Sequence, residues 1–331
     1  MGNKALVSVI VPCYNGEKFV GRFLESVLGQ TYEAIEVFLV DDDSTDATKD
    51  IVLSYVDKFK ERGLDLNYIY QKHSGQSAAI NKALPLFKGE YLKWFDSDDI
   101  MEPQLIEKQV NFLETNLQYG FCQCQFYQVR DENTNEIIEL NYRSHKENED
   151  FLEDIVQYKN ILWPDVYMAR RDLVLKAIPT KKIYPSPEGQ NLQMLIPLAY
   201  YSPCGYIDEP LVRVAVRKNS HSRVKRSPRE LLDRWLNSII ISRETFASFK
   251  CDNADRYLLM NQIMIAHEIL RLSIIVDDVD VMKQSYMLLK KHNKLKAYDR
   301  LMFFLAKNRY IIPAYKLIKK IKTLCFRWKI I

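Results

Sequence analysis

Four residues, Asp96-Ser97-Asp98-Asp99, place three carboxylates within four positions. Carboxylates this close repel one another, so a divalent cation or the hydrogen-bond donors of a ligand normally compensate them. They follow Tyr91-Leu92-Lys93-Trp94-Phe95, a short apolar and aromatic run that reads as a buried strand. In open α/β sheets, ligands bind outside the carboxyl ends of the strands. An Asp-x-Asp at a strand end is therefore a candidate Mg²⁺ or Mn²⁺ site facing a phosphate. An acidic turn capping the next helix is the other reading these four residues leave open.

The preceding chain supplies elements to position them. Ala5 to Cys13 is rich in Val and Ile with little alternation, the pattern of a strand buried on both faces. Tyr14-Asn15-Gly16 turns the chain. Glu17 to Leu28 then repeats apolar residues at helical spacing. Ile35 to Val40 is a second strand, and it too ends in acids, Asp41-Asp42-Asp43. A helix from about Ile51 to Phe59, a strand Leu66 to Tyr70, a polar turn His73 to Ser77 and a helix Ala78 to Leu86 lead to the strand ending at Asp96. This alternation implies right-handed βαβ units and an open, mostly parallel sheet. No G-x-G-x-x-G or G-x-x-x-x-G-K-[ST] stands at a strand-to-helix turn, which disfavours dinucleotide and P-loop folds. Phe121 to Arg130 and Ile137 to Leu140 read as a hairpin, hence an antiparallel extension of the sheet.

Five stretches in order, VSVIVPCYN, SVLGQTY, VDDDSTD, HSGQSAAIN and FDSDD, resemble the inverting glycosyltransferases of family two over about residues 5–220. The resemblance implies a GT-A fold, a nucleotide-diphosphosugar-binding α/β domain, here expected over 1–225. Residues 226–331 form a helical C-terminal appendage. It implies a nucleotide-sugar donor, a UDP-sugar, and a glycan or lipid-linked acceptor. Carried over by position, Pro12 and Tyr14 would border the base and ribose, and Asp42 would accept from uracil N3–H. Gly75, Ser77 and Asn81 would lie beside the nucleotide. Asp96 would reach the ribose or a metal-bound water, and Asp98 would bind the cation. His221 is a further candidate metal ligand, and Arg217 a candidate for the phosphates.

This sequence departs from the family pattern at three points. Asp43 stands where Gly is usual, and Ile80 where Arg is frequent. Gln190-Asn191 stands where the family has the Glu-Asp pair that supplies the base. Amides cannot take a proton from an acceptor hydroxyl. Glu188 is the nearest carboxylate and the expected general base, with Asp165 in reserve. Trp163 and Tyr167 could stack on a sugar ring or simply pack in the core.

Net charge is +4, unevenly spread. From His221 onward, Lys and Arg outnumber Asp and Glu about two to one. From Pro313 a basic amphipathic helix is expected, fit to lie on an anionic bilayer or to pack on its own helices. No nucleic-acid motif accompanies these charges. Six scattered cysteines without C-x-x-C spacing suit a reduced, cytoplasmic protein, and no stretch reads as a signal peptide or a membrane span. Two other classes compete. A nucleotidyltransferase would need a Gly-rich basic loop after the first strand, which Pro12 to Gly16 does not offer. A non-catalytic sugar-nucleotide module would account for the missing Glu-Asp.

Overall fold

The computed structural model describes residues 4–142, 151–159, 163–217 and 224–307. It divides into two compact units, Met1–Val224 with Ile241–Ala254, and Lys225–Ile240 with Asp255 onward. The chain thus leaves the first unit after Val224 and returns to it from Ile241 to Ala254.

The first unit is built on a mixed sheet of nine strands: β1 (Val7–Cys13), β2 (Ile35–Asp42), β3 (Asp65–Gln71), β4 (Tyr91–Trp94), β5 (Ile100–Met101), β6 (Phe121–Arg130), β7 (Asn133–Asn141), β8 (Tyr167–Arg170) and β9 (Cys204–Val216). Their order is β3-β2-β1-β4-β8-β6-β9-β5, with β7 paired to β6. The pairs β1–β2, β2–β3 and β1–β4 are parallel, as the continuous apolar runs imply. Every β2 residue is buried and β1 nearly so, because helices cover both faces. The hairpin of β6 and β7 is antiparallel, as expected, while β6–β9 is parallel. Two strands were not anticipated: Tyr167–Arg170, which inserts antiparallel between β4 and β6, and the short Ile100–Met101, which pairs antiparallel with β9.

The parallel register fixes one functional edge. Cys13 pairs with Asp41, and Asp42 with Gln71. Pairing of β1 with β4 ends at Ile10 opposite Trp94. Pro12 lies beyond that point, where its missing N–H costs no ladder bond to β4. The carboxyl ends of β1, β2 and β4 therefore deliver Tyr14, Asp42 and Asp96 to the same side of the sheet.

The second unit is helical, with Ala266, Leu270, Ile274, Met282, Leu289 and Met302 as its buried core. Its helix Ala254–Ile275 is long and apolar enough, by length and composition, to cross a membrane, although the sequence pattern suggested no such segment. Ile265, Ile269 and Leu272 of this helix are buried within the protein. The five described cysteines are free thiols, four of them buried. The expected basic amphipathic helix at 313–331 lies outside the described residues.

Candidate active site

Carboxylate oxygens of Asp96, Asp98 and Asp99 lie within 4.8 Å of one another. The loop that carries them is held on every side. The Asp96 N–H donates to Asp165 Oδ1 at 2.6 Å. The Asp98 carbonyl accepts from Arg22 Nε at 3.2 Å and Nη2 at 2.7 Å, and Arg22 Nη2 also pairs with Asp131 Oδ1 at 2.6 Å. Asp99 Oδ1 accepts from the Ala215 N–H on β9 at 2.8 Å, and Asp99 Oδ2 from Trp163 Nε1 at 3.3 Å. Asp99 is thus committed to structure. Asp98 Oδ2 is held by Arg217 Nη2, and the Asp96 carboxylate has no donor among the described residues.

The electrostatics match this division. Burial, then the Asp98 and Asp99 charges, push the Asp96 carboxyl well above the usual range, against the opposing pull of Arg217. Burial and the neighbouring Asp165 and Asp98 raise Asp99 likewise. Burial raises Asp165, with Asp96 adding to it. A cluster whose members resist ionisation together is short of positive charge. All its donors are carboxylate oxygens, which suit a hard divalent cation such as Mg²⁺ or Mn²⁺. Asp96 and Asp98 are the acids with capacity for one, so the residues present fit the metal.

Asp165 is not placed as a base. It is 0% exposed, beneath the loop, with one oxygen on the Asp96 amide and Asp99 beside it. A carboxylate sealed in this way has no route to an acceptor hydroxyl, and its geometry makes it a support for Asp96. Lys93, also 0% exposed, lies below it. Lys93 Nζ donates to the Asp165 carbonyl, to the Tyr167 carbonyl at 3.1 Å and to Gln109 Oε1 at 3.3 Å. Tyr167 is core, stacked on Trp94 with centroids 6.0 Å apart, whereas Trp163 stacks on Phe126 and serves Asp99.

At the nucleotide side, the loops after β1 and β2 are pinned together. Asn15 N–H donates to Ser44 Oγ at 2.8 Å, and Thr45 N–H to Asn15 Oδ1 at 2.9 Å. Tyr14 is 49% exposed and packs on the His73 ring at 4.6 Å, a platform the sequence motifs did not single out. Asp42 is 4% exposed and heavily subscribed. Its Oδ1 accepts from Gln71 Nε2 and the Ser74 N–H, both at 2.7 Å; its Oδ2 accepts from the Gly75 N–H at 2.9 Å and faces His73 Nδ1 at 3.0 Å. An ionised carboxylate has about four lone-pair sites, so Asp42 organises this loop before any base arrives. Asp43 has φ 69°, the left-handed region that Gly and, less readily, Asp adopt, which explains the usual Gly there. Ile80 is buried in the core.

Ser77 and Asn81 bond to the segment from Ile183 to Ser186. Asn81 makes two bonds at 2.8 Å to the Ile183 backbone, Nδ2 to the carbonyl and Oδ1 from the N–H. Ser77 Oγ lies 3.4 Å from Ser186 Oγ, and Gln190 Nε2 donates to Gln76 Oε1 at 2.5 Å. Gly75, at φ 85°, caps the helix Gln76–Ala83, and an added Cβ would meet Pro187 and Ser186 in ordinary contact. These bonds seat Glu188, half-buried, just before Gly189, whose φ of 80° starts the helix Gln190–Tyr201. Asn191 Oδ1 accepts from Trp94 Nε1 at 3.3 Å. His221 lies outside the described residues.

The sequence reading missed Arg22, and it gave no role to His73, Ser26 and Gln30, which lie within its motifs. Gln30 Nε2 donates to the Glu102 carbonyl at 2.8 Å, and Ser26 Oγ accepts from the Met101 N–H at 3.2 Å. The SVLGQTY stretch carries that signal, since polar residues on a helix otherwise facing the sheet need partners.

An α/β sheet with its acids at the carboxyl ends of parallel strands, extended by antiparallel strands, defines a GT-A-type domain. Solved structures agree. Staphylococcus aureus TarS residues 1–349, in complex with UDP-GlcNAc, superposes with a TM-score of 0.61 at 19% identity over 92% of this chain and 91% of that one. The mannosyltransferase PcManGT from Pyrobaculum calidifontis, in complex with GDP-Man and Mn²⁺, gives 0.53 at 15% identity over 97% and 85%. The sequence matches glycosyl transferase family 2 over residues 8–174, and the chain belongs to that family. An uncharacterized glycosyltransferase of Rickettsia typhi is 41% identical over 108 residues, 33% of this chain and 32% of that protein. The putative teichuronic acid biosynthesis glycosyltransferase TuaG of Bacillus subtilis is 40% identical over 111 residues, 33% and 42%. These matches span less than half the length of either relative.

Proposed function

We propose that this chain transfers one sugar from a nucleotide diphosphate sugar, a UDP-sugar, to a hydroxyl of a surface glycan or lipid-linked oligosaccharide, with inversion and with a divalent cation. The observation that carries the reading is the convergence of Asp96, Asp98 and Asp99 at the strand ends beside Arg217. Asp98 and Asp96 would hold Mg²⁺ or Mn²⁺, with His221 as third ligand on sequence pattern alone. When bound, that ion supplies Lewis-acid stabilisation of the leaving diphosphate. Arg217 binds the same phosphates. Tyr14, with His73 against it, offers its exposed face to the base, beside Pro12. Asp42 holds the loop that ends at Gly75, and Asp165 holds Asp96. Glu188 takes the proton from the acceptor hydroxyl as it attacks from the side opposite the diphosphate. Ser77 and Asn81 position the segment that carries it.

The TarS complexes with UDP-GlcNAc and UDP make uridine nucleotides the first to test, and TuaG's teichuronic acid assignment favours a polymeric surface acceptor. A lipid-linked acceptor fits a cytoplasmic enzyme resting on the inner membrane face through residues 313–331, a contact checked by co-sedimentation with anionic vesicles. The decisive experiment is a thermal-shift screen of nucleoside diphosphates and their sugars with and without Mn²⁺, since ligands of the folded state raise its stability. A shift with UDP and Mn²⁺ that vanishes in Asp98→Ala is expected. No response to any uridine nucleotide would overturn the donor.

A further inference from the structure

Two arginines meet the Asp98 residue, and they are satisfied to different degrees. Arg22 places Nε and Nη2 on the Asp98 carbonyl and Nη2 on Asp131. It fixes the backbone and has no reason to move. Arg217, the residue after β9, places Nη2 on the Asp98 carboxylate itself. Its guanidinium lies over the Phe19 ring, 4.3 Å from the centroid. Its Nε is buried and has no acceptor among the described residues. An arginine that leaves a buried donor unpaired is poorly matched to its site, because such a group forfeits its hydration without return.

That carboxylate is also the acid assigned to the cation. A guanidinium on Asp98 Oδ2 takes one of its two oxygens and repels a divalent ion approaching the other. A diphosphate brings the anionic oxygens that a planar guanidinium matches in pairs, so it gives Arg217 a better partner than one carboxylate oxygen. We propose that Arg217 is an exchange residue: it holds Asp98 in place of the cation until a nucleoside diphosphate arrives, then moves to the phosphates and releases Asp98 to the metal. The inference rests on the donor-and-metal reading above. It makes the site bind metal weakly alone and strongly with the nucleotide, a positive coupling whose source is a single side chain.

Mn²⁺ binding, followed by electron paramagnetic resonance of the free ion, tests this with and without saturating UDP, with GDP as a second probe. In Arg217→Ala, Mn²⁺ alone is expected to bind about tenfold tighter than in the unmodified protein, while Mn²⁺ with UDP binds about tenfold weaker. Opposite signs in one variant are not produced by general loosening, which weakens both. Arg217→Lys keeps the charge and is expected to restore the suppression of Mn²⁺ binding in the absence of nucleotide. Unchanged or weaker binding of Mn²⁺ alone in Arg217→Ala, beside normal UDP–Mn²⁺ binding in the unmodified protein, overturns the exchange and leaves Arg217 a phosphate ligand. Absence of UDP–Mn²⁺ and GDP–Mn²⁺ binding in the unmodified protein overturns the donor-and-metal reading, and the exchange with it.

Discussion

The two ends of this site are built from different chemistry. At the metal end, charged or strongly polar partners divide the three acids by role: Arg22 takes the Asp98 backbone, Arg217 its side chain, Asp165 the Asp96 amide, and Ala215 with Trp163 the Asp99 carboxylate. At the base end, the segment from Ile183 to Gln193 is fastened by neutral groups, namely Asn81, Ser77, Gln76 and the Gln193 amide on the Tyr184 carbonyl. Charge is concentrated where charge must be neutralised. Around the segment that carries Glu188, the proposed base, neutral hydrogen bonds from Asn81, Gln76 and Gln193 hold the chain. The contrast predicts that substitutions at the first end act on donor binding as well as turnover, and at the second on turnover alone.

The largest break comes from Asp98→Ala. It removes one of the two acids proposed to hold the cation, and loss of several kcal/mol of leaving-group stabilisation corresponds to turnover falling on the order of 10³-fold or more. Metal-dependent UDP binding should vanish with it, measured by calorimetry. Next is Glu188→Gln, which keeps size and removes basicity. A fall in kcat of about 10²- to 10³-fold with donor KM unchanged is expected from steady-state kinetics. Asn191→Asp in the Glu188→Gln background sharpens the point: it restores a carboxylate where the family usually has one, and partial recovery of kcat is expected. Full activity in Glu188→Gln would remove Glu188 from the mechanism.

How much of this was legible beforehand follows the same division. The strands β1 to β4 could be read because burial on both faces forces continuous apolar runs, and their acids because the strand ends are short and local. Strand β8 could not, because Tyr167–Arg170 pairs with segments distant in sequence and carries no alternation. Asp165 looked like a reserve base because burial is invisible in a one-letter code. The bonds of Asn81 and Ser77 to Ile183 and Ser186 were not legible, because a motif records that residues are needed, not which segment their side chains hold. Asp43 was legible only as an exception, until its left-handed backbone supplied the reason.

Asn81→Ala tests whether that motif belongs to the base end. Two hydrogen bonds to the Ile183 backbone are lost, each worth about 1 kcal/mol of stability. The segment carrying Glu188 loosens, so kcat is expected to fall about tenfold while donor affinity holds. A raised donor KM at constant kcat would return Asn81 to the nucleotide and erase the contrast between the two ends.

The smallest effect concerns the cation beneath the metal end. Burial pulls the Lys93 ammonium down to about 8, while a solvated lysine in the unfolded chain titrates near 10.4. Between those values the unfolded chain binds the proton that the folded chain has released, so stability rises with pH across that window, and below pH 8 the folded state carries the cost of a buried charge. Lys93→Met removes the group and should flatten that rise relative to the unmodified protein, followed as Tm from pH 7.5 to 10. It also strands the Asp165 and Tyr167 carbonyls, so a loss of about 1–3 kcal/mol is expected near pH 9, where the unmodified lysine is largely neutral and still donates. Because Asp165 sits between Lys93 and Asp96, the variant separates two kinds of support. Weaker Mn²⁺–UDP binding in a folded Lys93→Met would make Lys93 part of the metal end's charge balance, whereas unchanged binding would confine it to holding up β8.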